Sequence, residues 1–135
     1  MTPLEKFGEF LIRNYRDKAI ERHLRLQQGF FRTPDLQNLQ KRLAALSDDE
    51  KKLQIDIIVD LVDTALHDLL FAFQEAHDLG EGIEIVVNDV NIAAEESQML
   101  QGEPMGEGGW IDHFSRFPDL GAFGRAMGKP DREPG

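Results

Sequence analysis

The stretch Ser47–Gly80 reads SDDEKKLQIDIIVDLVDTALHDLLFAFQEAHDLG and decides the fold. Ser47-Asp48-Asp49-Glu50 is a capping box, with extra carboxylates at the positive end of the helix that it starts. At about 100° per residue, Ile55, Ile58, Val59, Val62, Leu66, Leu69 and Phe73 share one broad face, and Leu53, Ile57, Leu61 and Phe71 carry apolar surface around the side. The spacing predicts one long central helix that stops near Leu79-Gly80, where glycine can take the left-handed cap.

Moving toward the N-terminus, Thr33-Pro34-Asp35 is a cap-plus-proline start. The leucines at 36, 39, 43 and 46 then recur at helical spacing, which predicts a short amphipathic helix. Thr2-Pro3-Leu4-Glu5 has the same start with a glutamate in capping-box position. Leu4, Phe7, Leu11, Tyr15, Ala19 and Leu26 form the expected core stripe of a first helix that ends at Gly29. Toward the C-terminus, Ile83-Glu84-Ile85-Val86-Val87, the turn residues Asn88-Asp89 and then Val90-Asn91-Ile92 predict a small hairpin. Ala93 to Leu100 allows a turn or two of helix, and QGEPMGEGG from Gln101 to Gly109 marks a loop. Trp110–Phe114 with Phe117 makes a short amphipathic segment that docks on the helices. The expected fold is mainly α (α+β): a three-helix core with a small β-hairpin and a short C-terminal helical segment. Residues 1-128 are expected as one domain and 129-135 as a flexible tail.

The chain has 135 residues, enough for one core without disulfides, and no cysteine. That composition fits a reducing compartment and removes thiolate chemistry. No leader-like start or membrane-spanning run is evident, so the expectation is a cytoplasmic protein without membrane contact. The net charge of −10 is unevenly spread. Met1 to Leu46 has nine Lys/Arg and five Asp/Glu (+4), Ser47 to Asp112 two against seventeen (−15), and His113 to Gly135 four against three (+1). A central field of this sign repels nucleic acid and steers basic protein partners.

Asp56, Asp60, Asp63 and His67 succeed one another at spacings of four, three and four. They fall on one stripe, which Gln74 and Asp78 continue. Oxygen and nitrogen ligands so placed suit a divalent metal if another helix completes the set. The favoured alternative is an acidic face turned to water or to a basic partner, with no metal, cofactor or catalytic residue. Like charges at i,i+4 repel, so a neutralising partner or the basic first helix would relieve the stripe. Phe71, Trp110 and Phe114 are the candidate apolar anchors if exposed, with the core the favoured place for Trp110.

His67-Asp68 within TALHDLL resembles the metal-binding pair of HD-domain phosphohydrolases. The resemblance implies His23 as an earlier ligand and Asp89 as a later one, although the glycine and lysine that often come after the pair are missing. Two longer stretches, ALHDLLFAFQE at Ala65–Glu75 and GEGGWIDHFSRF at Gly106–Phe117, resemble small acidic bacterial proteins of the toxin-immunity type. They cover about a sixth of the chain. This resemblance implies a non-enzymatic inhibitor whose acidic surface covers a basic protein, for instance a toxin. A phage-encoded inhibitor that mimics nucleic acid shares these traits, and a homodimer paired through exposed helix faces is a further alternative.

Overall fold

The computed structural model describes residues 1–121. Its helices are α1 (Pro3–Leu11), α2 (Asp17–Gln27), α3 (Pro34–Ala44), α4 (Asp48–Asp78), α5 (Ile92–Glu95) and α6 (Trp110–Phe114). A π-helical turn, Ile12–Arg16, joins α1 to α2 without a break, and a 3₁₀ turn spans Leu100–Gly102. The fold is the expected mainly helical one with a small antiparallel hairpin and a short C-terminal helix. No helix among the described residues is long and apolar enough to cross a membrane. The expected tail 129-135 lies outside the described residues.

Local chemistry sets the helix ends. The Thr2 hydroxyl accepts from the Glu5 amide while the Glu5 carboxylate accepts from the Thr2 amide, and Ser47 and Glu50 do the same at α4. Thr33 precedes α3 without a side-chain bond, so the proline there, with its preset φ, does the starting. Two glycines stop helices in the left-handed region. Beyond α2, Gly29 has φ 71° and the Phe30 amide donates to the Arg25 carbonyl. Beyond α4, Gly80 has φ 67° and the Glu81 amide donates to the Ala76 carbonyl. Both are Schellman closures.

The hairpin pairs β1 (Val86–Val87) with β2 (Val90–Asn91) in the register Val86 to Asn91 and Val87 to Val90. Asn88 and Asp89 both have positive φ, as a two-residue hairpin turn of this hand requires.

Ile12, Leu66, Leu70, Ile92, Leu100, Trp110, Ile111 and Phe114 meet in one core, so α1, α4 and the C-terminal third of the described chain share a centre. Gly8 lets the indole come close to the helix: a Cβ built there would lie 2.5 Å from the Trp110 ring. Phe7 meets the same indole edge-on with ring centroids 5.9 Å apart. The first helix departs from its expected stripe. Tyr15 is exposed, and the buried positions are Gly8, Ile12, Arg16, Asp17, Ile20 and His23. A π turn adds a residue to the helical repeat and shifts the phase of every residue downstream of it, so two consecutive charged residues, Arg16 and Asp17, enter the interior.

Candidate protein-binding face

The four residues of the acidic stripe do not act as one surface. Asp56 and Asp60 are exposed, but Asp63 is fully buried. The expectation of Asp63 as a steering residue on the surface is therefore corrected. It falls between Val59 and Leu66 on the inward face of α4, where α2 crosses, and the neutralising partner comes from the first helical rod.

Arg16 Nε donates to Asp63 Oδ1 at 2.6 Å and Arg16 Nη2 to Oδ2 at 3.2 Å. The remaining guanidinium hydrogens reach the segment after α6: Nη1 donates to Ser115 Oγ and the Phe117 carbonyl, and Nη2 to the Leu120 carbonyl. All five donors of the fork are used. Asp17 grips the same segment, accepting from Ser115 Oγ at 2.5 Å and from the Arg116 amide at 3.0 Å. Burial pushes the Asp63 carboxyl above its usual value, Arg16 offsets this, and Asp60 adds to it.

With Asp63 inside, α4 turns a different feature to solvent. Leu53, Ile57 and Leu61 are 59%, 57% and 62% exposed, and Leu69 is also exposed. Together with half-buried Ala65 they stand four residues apart and form a continuous ridge. Asp56, Asp60 and Asp68 are exposed beside it. His67 Nδ1 lies 3.2 Å from Asp68 Oδ1, so the imidazole belongs to this rim. The row from Leu53 to Leu69 covers sixteen residue steps of the 31-residue helix, about 24 Å at 1.5 Å per residue, and is inclined to the helix axis.

Of the three proposed anchors only Phe71 is available, at 46% exposure. Trp110 and Phe114 are 4% and 9% exposed and are corrected from anchors to core residues. The glycine at position 8 is the signal for the first of these, since it leaves a flat seat for an indole. Sequence reasoning also missed Gln74 as a structural residue: it is buried, accepts from the Leu100 amide and donates to Asp78, tying α4 to the 3₁₀ turn.

The residues implied by the phosphohydrolase resemblance have separate roles. Asp89 sits in the hairpin turn, and His67 pairs with its neighbour Asp68. His23 is buried beside Gln27, whose amide nitrogen is 3.2 Å from His23 Nε2 and also reaches the Lys51 carbonyl and Gln54. Among the described residues no group of three or more His, Asp or Glu side chains is placed to hold a metal ion.

Burial lowers the His23 pKa from the usual 6.5, with Gln54 opposing. The folded state thus binds this proton less readily than the unfolded chain. The stability it contributes is complete above pH 6.5 and lost as pH falls toward the folded-state value. Denaturation at intervals from pH 7.5 to about 5 should show a decline that His23→Gln reduces; parallel pH profiles for the two proteins would sink this assignment.

A hollow of about 700 Å³ lies between the start of α1 and the loop before α6. Several of its carboxylates are already used: Glu5 by the Thr2 amide, Glu96 by the Leu4 amide and Glu103 by the Ser97 hydroxyl. Glu107 and His113 also line it. Comparison with family models, curated proteins and solved structures gives no match to this chain.

Proposed function

We propose that this chain is a non-enzymatic, cytoplasmic protein-binding inhibitor of the toxin-immunity kind, and that it docks through the exposed ridge of α4. The observation that carries the reading is the row Leu53, Ile57, Leu61 and Leu69, left uncovered beside Asp56, Asp60 and Asp68. Exposed large apolar side chains in a continuous row mark interaction surfaces more often than isolated ones do. Burying them supplies affinity, while the carboxylates steer and orient a partner with lysines or arginines around an apolar groove.

Charge favours such a partner over a second copy of this chain. A two-fold pairing of α4 with itself brings acidic rims of the same sign together, within a region that carries −15. The same rim repels nucleic acid.

Capture of proteins encoded by neighbouring genes, at low and at physiological salt, tests the proposal. Ile57→Asp with Leu61→Asp should abolish capture. Asp56→Asn with Asp60→Asn should slow association and flatten its salt dependence while leaving much of the affinity. Capture unaffected by the first pair, or absent for every neighbour even at low salt, counts against the ridge. Sedimentation should give the monomer mass; a dimer that dissociates in the Ile57→Asp, Leu61→Asp protein would reassign the face to a second copy.

A further inference from the structure

On α2, Lys18, Arg22 and Arg25 are spaced four and three residues apart and share one face. Together with Phe31 they line a hollow of about 330 Å³, within the range of small-molecule sites. Glu21, also in the lining, is already committed: one oxygen accepts from Arg25 at 2.6 Å and the other from Arg116. The Arg116 contact foremost, then Arg25, holds this carboxyl below its usual range. Lys18 and Arg22 have no carboxylate partner among the described residues.

The base of this hollow is fixed. Gln40 is buried and grips the Phe31 backbone from both sides, accepting from its amide at 2.8 Å and donating to its carbonyl at 2.9 Å. Phe30 meets Phe31 edge-on at 5.3 Å. The Arg22 guanidinium lies over Phe31 at 5.1 Å from the ring centroid, and that of Arg25 over Phe30 at 4.9 Å. Cation–π contact leaves guanidinium hydrogens available in its plane, so the aromatic pair positions two forks without consuming them.

We propose that this hollow binds the phosphoryl group of a small molecule. Three cations against one doubly paired carboxylate leave a local positive excess in a chain of net charge −10. At physiological ionic strength the distant acidic field is screened over about 8 Å, so an incoming anion meets the local charge. Planar forks and an ammonium match a tetrahedral dianion, with charge-assisted bonds from Arg22 and Lys18. This site is separate from the α4 ridge and does not depend on the inhibitor reading.

The test is calorimetric titration at low salt, in buffer free of phosphate and sulfate, with inorganic phosphate, with adenosine monophosphate and with chloride as control. Saturable binding of one phosphate probe per chain is expected, roughly tenfold weaker in Arg22→Gln and unchanged in Lys52→Gln, whose residue lies on α4. Both positions are exposed, and circular dichroism verifies that each variant folds. Tighter binding of the nucleotide assigns the source to nucleoside phosphates, and equal affinity assigns it to phosphate itself. No saturable binding of either probe, or the same affinity in Arg22→Gln, overturns the proposal.

Discussion

Asp63→Ala should cost about 3–5 kcal/mol of folding stability, because it leaves the Arg16 guanidinium charged, fully buried and without its counter-ion. The measurement is urea denaturation followed by fluorescence of Trp110, the chain's single tryptophan. Two comparisons separate charge from volume. Asp63→Asn preserves the shape and one acceptor and should still be strongly destabilised. Arg16→Met with Asp63→Leu removes both charges and should recover most of the loss, since apolar side chains of similar volume commonly replace a buried ion pair without net cost. Its remaining deficit would measure the bonds to Ser115, Phe117 and Leu120. Asp60→Asn, at an exposed position one turn away, should stay within about 0.5 kcal/mol of the parent. A loss below about 1 kcal/mol for Asp63→Ala would show that Arg16 finds water, contrary to its full enclosure.

The second large effect is expected where α1 meets α6. Trp110→Ala should cost about 3–5 kcal/mol, because it removes a large core side chain and leaves a cavity against Gly8 and Phe7. Gly8→Ala acts on the same contact from the other side. Its methyl would overlap the indole, 2.5 Å from two ring atoms, and the cost of overpacking is about 1–3 kcal/mol despite alanine's better helix propensity. In the Trp110→Ala background the clash is gone, so Gly8→Ala should become neutral or stabilising. A double-mutant cycle measures that change of sign, and purely additive effects would refute direct packing of the indole on Gly8.

The elements of the fold were legible because each rests on local chemistry. Thr2 and Ser47 with their glutamates, Gly29 and Gly80, and the Asn88-Asp89 turn specify boundaries through bonds spanning a few residues. The functional face was less legible, and the reason lies in phase. The π turn shifts the first helical rod so that Arg16, in place of Tyr15, points inward. Once Arg16 is inside, α4 must bring Asp63 toward it, which draws one member out of the acidic stripe and sets which apolar residues remain outside. Leu53, Ile57 and Leu61 were legible as apolar surface on the side of the helix, but nothing local indicates that no other element among the described residues covers them. The same limit applies to Trp110, whose burial depends on a glycine more than one hundred residues away.

The hold of Arg16 and Asp17 on residues 115–120 also has a consequence in time. Their bonds to that segment span 98 to 104 positions of sequence. During synthesis α1, α2 and α4 can coil as they emerge, since their backbone bonds are local, while the guanidinium and the Asp17 carboxylate wait for acceptors and donors not yet made. Until residue 120 leaves the ribosome the nascent chain exposes a hydrated arginine where the finished protein has a sealed interior. Final closure is therefore a late event, and nascent chains stalled before Ser115 should remain open to protease digestion at sites that the finished protein protects.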